Sequence, residues 1–195
     1  MPVHWTYFIP VVIVSTTTLG LLLSQNWRTS LLVLVAQYLA VFWMITSVWS
    51  IGLAAVKLVT GFTAVTMLAI LQPDPLQRKG ILKTTSPRGF VIVSAGLGFT
   101  LAILISLTIK DWFPINIAMR MGGFILIAMS LLQLGMTNQF FRLILGLLTL
   151  LSGFEVLYAG LENSVLVTGL LSILTIGLAL VGAYLIAQIV PGEET

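Results

Sequence analysis

Gly146-Leu-Leu-Thr-Leu-Leu-Ser-Gly-Phe-Glu155-Val-Leu-Tyr-Ala-Gly160-Leu161 decides how this chain folds. The run belongs to an apolar segment, about Phe140–Leu161, long enough to cross a bilayer. Yet it carries a carboxylate well inside. Placing an ionisable group in a hydrocarbon-spanning helix costs about 2.5 kcal/mol or more, so such a group marks a candidate functional site. Around it, hydrophobic residues make up 58% of the chain and charged residues only 8%. A soluble domain carries roughly 25% charged residues. Several further apolar runs of about 20 residues make this a polytopic, all-α transmembrane helix bundle.

Composition also excludes functions. The net charge of +3 is small and the basic residues sit in loops, which reads as a topology signal and not a nucleic-acid footprint. With no cysteine and only His4, the chain has no thiolate or imidazole set for a metal, haem or iron–sulfur centre. No cofactor is expected, and no Ser/His/Asp set or carboxylate pair supports hydrolytic chemistry. No Lys or Arg precedes the first apolar run and no small-residue cleavage site follows it, so that run is expected to be a retained helix.

Working outward, the pattern predicts about seven spans. These are about Tyr7–Ser24, Thr29–Trp49, Ile51–Leu71, Gly89–Ile109, Ile115–Met136, Phe140–Leu161 and Ser164–Ile189. Spans two and three abut with almost no linker. The stretch Gln72–Arg88, with three prolines and four basic residues, reads as a solvated loop at a membrane surface. It separates a three-helix front, residues 1–71, from a four-helix back, residues 90–190, and a short polar tail, residues 191–195, follows. If the N-terminus is outside, the inner connections hold Arg28, Arg78, Lys79, Lys83, Arg88 and Arg142, and the outer side only Lys110. The positive-inside rule therefore predicts N-out, C-in.

That orientation sets depths. Lys57, Arg120 and Glu155 each lie five or six residues below the outer end of a span, on the order of 7–9 Å at ~1.5 Å per residue. Two cations and one anion at one depth are expected to pair in one cluster and relieve the burial cost. A second reading stays open for the cations, whose long side chains can snorkel to the interface. Glu155 is too short to do so and needs a polar partner. Gln37, Gln133, Thr175 and Thr46 can bond across helices, either as structural ties or as the lining of a water path. Gly146, Gly153 and Gly160 recur every seven residues and form a stripe for close approach of a neighbouring helix.

Gly153-Phe-Glu155-Val-Leu-Tyr-Ala-Gly-Leu161, with Arg142 at the inner end of its helix, resembles the second helix of the K-type small membrane subunit of respiratory complex I. Ile176-Gly-Leu-Ala-Leu180 is similar to a run in that subunit's third helix. The front half, Trp27-Arg-Thr-Ser-Leu, Ala36-Gln37-Tyr38 and Lys57, resembles the E-type membrane subunit of hydrogenase 4, whose back half is K-like. Residues 115–189 would form the K-like module. The resemblance implies a subunit that uses a membrane glutamate in proton or cation translocation, bound to antiporter-like and other membrane subunits in a prokaryotic cytoplasmic membrane. One departure bears on this. The K-type subunit has a second glutamate in its third helix, where this chain has Ile173.

Three functions are therefore weighed. One is an integral subunit of a complex-I-related respiratory, hydrogenase or cation-antiporter assembly, with Glu155, Lys57 and Arg120 as relay residues. Another is a structural or assembly membrane protein whose charges fix helix packing. The third is a small stand-alone transporter, which the lack of repeat symmetry disfavours.

Overall fold

The computed structural model describes residues 4–24, 26–70 and 88–189, in which seven α-helices follow one another. They are α1 (His4–Leu23), α2 (Trp27–Thr46), α3 (Ile51–Ile70), α4 (Arg88–Thr108), α5 (Ile117–Met136), α6 (Phe140–Leu161) and α7 (Val165–Ile189). A 3-10 turn at Ile109–Asp111 joins α4 to the segment before α5. The loop with Arg78, Lys79 and Lys83, and the tail with Glu193 and Glu194, lie outside the described residues. So do the side chains of Trp5, Tyr7 and Arg88.

At two of the boundaries that differ from the sequence expectation the local reason is visible. The second span was expected to run to Trp49, but α2 stops at Thr46. Ser47 donates its hydroxyl to the Met44 carbonyl at 2.7 Å, and the amides of Val48 and Trp49 both turn back to Ile45 O. This leaves a four-residue turn in which the Trp49 indole donates to Glu162 O at 3.3 Å. At the other boundary, α5 starts at Ile117 because the Asn116 side chain accepts from the Ala118 amide at 3.0 Å, an N-cap bond.

Six helices, α2 to α7, are long and apolar enough to cross a membrane. The first helix, α1, has the same 20-residue length as α2, α3 and α5. The surface is inverted relative to a soluble protein. Leu32, Val59, Val93, Leu166 and Ile173 are exposed, whereas Gln37, Lys57, Glu155 and Thr175 are buried. Hydrocarbon solvent demands that inversion, since polar groups find partners only within the protein.

The helix α6 is the axis of the bundle. It is 67% buried across its span, against 22% for α4. Its principal neighbour is α5, with α7 and α2 on other sides, while α3 packs on α7 and α2. One apolar core joins α1, α4, α5 and the far half of α2 through Val14, Met44, Ile45, Leu126 and Met129. A second joins α2, α3, α6 and α7 through Leu34, Leu68, Leu145, Leu148 and Ile186. Polar side chains lie where the two cores meet.

Candidate functional site

The glycines of α6 bring the site together. A Cβ at Gly153 would lie 3.0 Å from Gly123 O and 2.8 Å from Ile127, and one at Gly123 would meet Leu157 at 2.6 Å. Gly146 lies against Leu134 and Gln133, and Gly160 against Ile115. The stripe is thus the face on which α5 lies almost backbone to backbone, the close approach that small residues permit in membranes. With α5 seated there, other sides of α6 are left to α2 and α7, and the Lys57 side chain reaches α6 from α3.

On one of those sides Glu155 Oε1 receives a hydrogen bond from Lys57 Nζ of α3 at 2.5 Å. Both side chains are 4% exposed. The Thr175 hydroxyl of α7 approaches the same oxygen at 3.3 Å while also bonding Leu171 O at 2.9 Å. Three helices therefore converge on one carboxylate. Removing one partner of such a pair leaves a charge that the interior cannot solvate, a penalty of about 3–5 kcal/mol.

Arg120 does not join this pair. It stands in the first turn of α5, 6% exposed, and its Nη1 donates to the Phe113 carbonyl at 3.0 Å, while its Nε is buried without a partner. A cation in the first turn of its own helix finds unengaged carbonyls in the preceding segment, so it is satisfied locally. The expected three-charge cluster is a two-charge pair. Among the described residues Lys57–Glu155 is the only salt bridge.

The supporting polar residues divide between two levels. Gln37 of α2 donates through Nε2 to Thr149 Oγ1 at 3.3 Å, six residues before Glu155 on α6. Gln133 lies elsewhere, donating to Arg142 O at 2.9 Å where α5 meets the start of α6. Arg142, expected as a loop-side charge, is instead 6% exposed, and its Nη2 bonds Ser24 O at the end of α1. Thr46, by contrast, is half-buried and its hydroxyl donates to Trp43 O within its own helix.

Several site residues were not singled out from the sequence. Tyr38 lies flat on α3, its ring 2.7 Å from where a Gly61 Cβ would be. Its hydroxyl faces Ser152 and stands within electrostatic reach of Glu155. Ser152 and Thr149 precede Glu155 by three and six residues, so all three follow one side of α6. That spacing was the available signal. Ile173, the position of the resemblance's second glutamate, is exposed on the outside of α7 and faces away from Glu155.

No metal-ligating group of three His, Cys, Asp or Glu occurs among the described residues. The fold and the buried pair define a helical integral membrane protein with a charged interior site. Neither a family model, nor a curated protein, nor a solved structure matches the chain.

Proposed function

We propose that this chain is a membrane subunit in which Glu155, paired with Lys57, takes up and releases a proton as part of proton or cation translocation. The observation that carries the reading is the Lys57–Glu155 pair, a titratable acid and a titratable base in direct contact inside the bundle. Structural ties alone do not need charges, because apolar residues of similar volume hold helices as well or better. The resemblance to the K-type and hydrogenase-4 E-type subunits supports the same reading and extends it. In that extension the chain works within a complex-I-related assembly in a prokaryotic cytoplasmic membrane, N-out and C-in, beside antiporter-like subunits. The exposed apolar faces of α4 and α7 are available for lipid or for such partners, and Ile173 lies on one of them.

Carbodiimide labelling tests the exchange. Dicyclohexylcarbodiimide adds to protonated carboxyls within membranes, so Glu155 should be labelled in native membranes, with labelling that declines as pH rises. Glu155→Gln should abolish it. A Glu155 that stays unlabelled at every pH at which the protein is folded removes the reading. Gentle affinity purification tests the assembly, and recovery of large polytopic subunits in fixed ratio is the expected result.

One observation favours a structural reading. The pair links α3 to α6, two helices that each pack on α7, which adds Thr175 to the same carboxylate. On that reading a double replacement of Lys57 and Glu155 by apolar residues would keep every function of the assembly.

A further inference from the structure

Arg120 is a buried cation that the Lys57–Glu155 pair does not use. Its bond to Phe113 O engages one of the five N–H donors of a guanidinium. Among the described residues Nε and Nη2 find no acceptor, and Nε is enclosed. Those two groups form the side-on fork of a guanidinium, whose geometry matches two oxygens of one phosphate or carboxylate. No acid among the described residues fills it. The salt bridge there is Lys57–Glu155, and Asp111 stands exposed in the preceding turn. Helical side chains lean toward the N-terminus of their helix, and this one reaches back to a carbonyl seven residues earlier. The guanidinium therefore stands level with the α4–α5 turn, which carries the exposed Lys110 and Trp112, the latter 86% exposed. A tryptophan beside a lysine at a span's end marks the headgroup level of a bilayer.

An apolar groove of about 590 Å³ begins directly beneath, between α4 and α5. The small residues Gly98, Ala102 and Ala128 make its floor, and the exposed Leu97, Leu101 and Leu131 its rim. Phe124 closes the end nearest the α4–α5 turn, one helical turn from Arg120 on α5. Its ring meets Phe113 edge-on, centroids 6.3 Å apart, and Phe113 is the residue whose carbonyl accepts from Arg120. From Ser94 to Ile105 the groove runs ~16 Å, close to the ~15 Å of hydrocarbon in one leaflet of a bilayer. A helix ~10 Å wide would fill about 1,300 Å³ over that length, more than twice the groove, so it could rest only on the rim.

We propose that this site holds one phospholipid, its phosphodiester on the Arg120 fork and an acyl chain laid in the α4–α5 groove. The phosphate closes on the fork from the Nη2 side, with Lys110 adding positive charge at the same level. The cation and the groove, joined through Phe113 and Phe124, match the two ends of one molecule. A free phosphate would leave the groove empty, and an acidic helix would be too wide for it. The proposal is independent of Glu155. Lying against both helices, the lipid fastens α4, the least buried of the six long spans, to α5.

Native mass spectrometry of the full chain separates the two halves of the site. The probes are dioleoylphosphatidylglycerol and dioleoylglycerol, which has the same chains and no phosphate. The phospholipid should bind as one retained adduct, ~10-fold or more tighter than dioleoylglycerol, the scale of a charge-assisted hydrogen bond. Arg120→Gln should remove that preference. Arg120→Lys keeps the charge without the fork and should remove most of it. Lys110→Gln, at an exposed position where folding is not at stake, should weaken the phospholipid alone by about 2–5-fold. Ala128→Phe fills the groove and should weaken both lipids. Equal binding of the two lipids to the wild type, or a wild-type preference in Arg120→Lys, overturns the phosphate site. Unchanged phospholipid binding in Ala128→Phe overturns the groove. Inorganic phosphate should leave the adduct in place, and displacement by it would assign the fork to a free anion instead. The chain has no cysteine, so a benzophenone maleimide on the Leu101→Cys variant reports the groove alone in native membranes. A lipid-sized photoadduct is expected there, and a cross-link to a polypeptide, a second copy or another subunit, overturns the lipid as occupant.

Discussion

Two buried charges on α6, Glu155 and Arg142, are held in opposite ways. Glu155 meets an opposite charge, Lys57, contributed by another helix. Among the described residues Arg142 meets a backbone carbonyl, Ser24 O, at the C-terminal end of α1, where carbonyls lack helical partners and the helix dipole is negative. A guanidinium is never deprotonated in a protein, so the Arg142 contact is a permanent clamp between α1 and α6. The Lys57–Glu155 contact joins two groups that can each lose their charge. The same helix therefore carries one fixed tie and one that can change state, about 20 Å apart along its axis.

The sharpest way to break this comparison is to remove one member of the pair. Lys57→Met leaves Glu155 with Thr175 as its side-chain donor among the described residues, and stability should fall by about 3–5 kcal/mol, or by less if the carboxyl takes up a proton. Lys57→Met combined with Glu155→Leu should recover most of that loss, because the uncompensated charge is gone. A denaturant titration in mixed micelles, run as a double-variant cycle, gives both numbers. Equal stability of the single variants and the wild type would mean that the two groups do not interact.

Arg142→Met comes next. It removes a charge-assisted bond to Ser24 O, worth about 1.5–3 kcal/mol, and the loss should be the same at every pH tested. A pH-dependent loss would put Arg142 in the same class as the pair, and the contrast between the two ends of α6 would collapse. Gly153→Val probes the close approach that holds both ends in register. Its side chain would press on Gly123 O and Ile127 at the centre of the α5–α6 contact, and overpacking of this kind costs about 1–3 kcal/mol. The same change at Gly177, where nothing lies within 4 Å, should be nearly silent in the same titration.

Much of this was readable beforehand. Runs of apolar residues fixed all the helix starts and ends to within two residues except the start of α1 and the end of α2, because in hydrocarbon the backbone has no alternative to the helix. The depth arithmetic also placed Lys57 and Glu155 at one level. It erred on Arg120, since depth says nothing about azimuth or about a carbonyl such as Phe113 O close by in sequence. Arg142 was counted as a loop-side charge for a similar reason. Its burial depends on α1 ending beside it, a contact 118 residues away in sequence. Tyr38 and Ser152 were invisible as a pair because each is ordinary alone, and only the α2–α6 crossing brings them opposite each other.

Thr175 tests the smallest part of the contrast. Its hydroxyl has one hydrogen, shared between Leu171 O at 2.9 Å and Glu155 Oε1 at 3.3 Å. The shorter bond, within α7, takes most of it, so the interhelical share is weak. Side-chain hydrogen bonds between membrane helices average ≈ 0.6 kcal/mol, and Thr175→Val should cost no more than about that. It should also be nearly additive with Arg142→Met, which lies too far off to share partners. With Lys57→Met it should not be additive. Once Lys57 is gone, Thr175 is the carboxylate's last side-chain donor, and removing it should cost more than in the wild type. Additivity in that background would show that the hydroxyl belongs to the backbone of α7 alone, and that Glu155 is held by Lys57 without help.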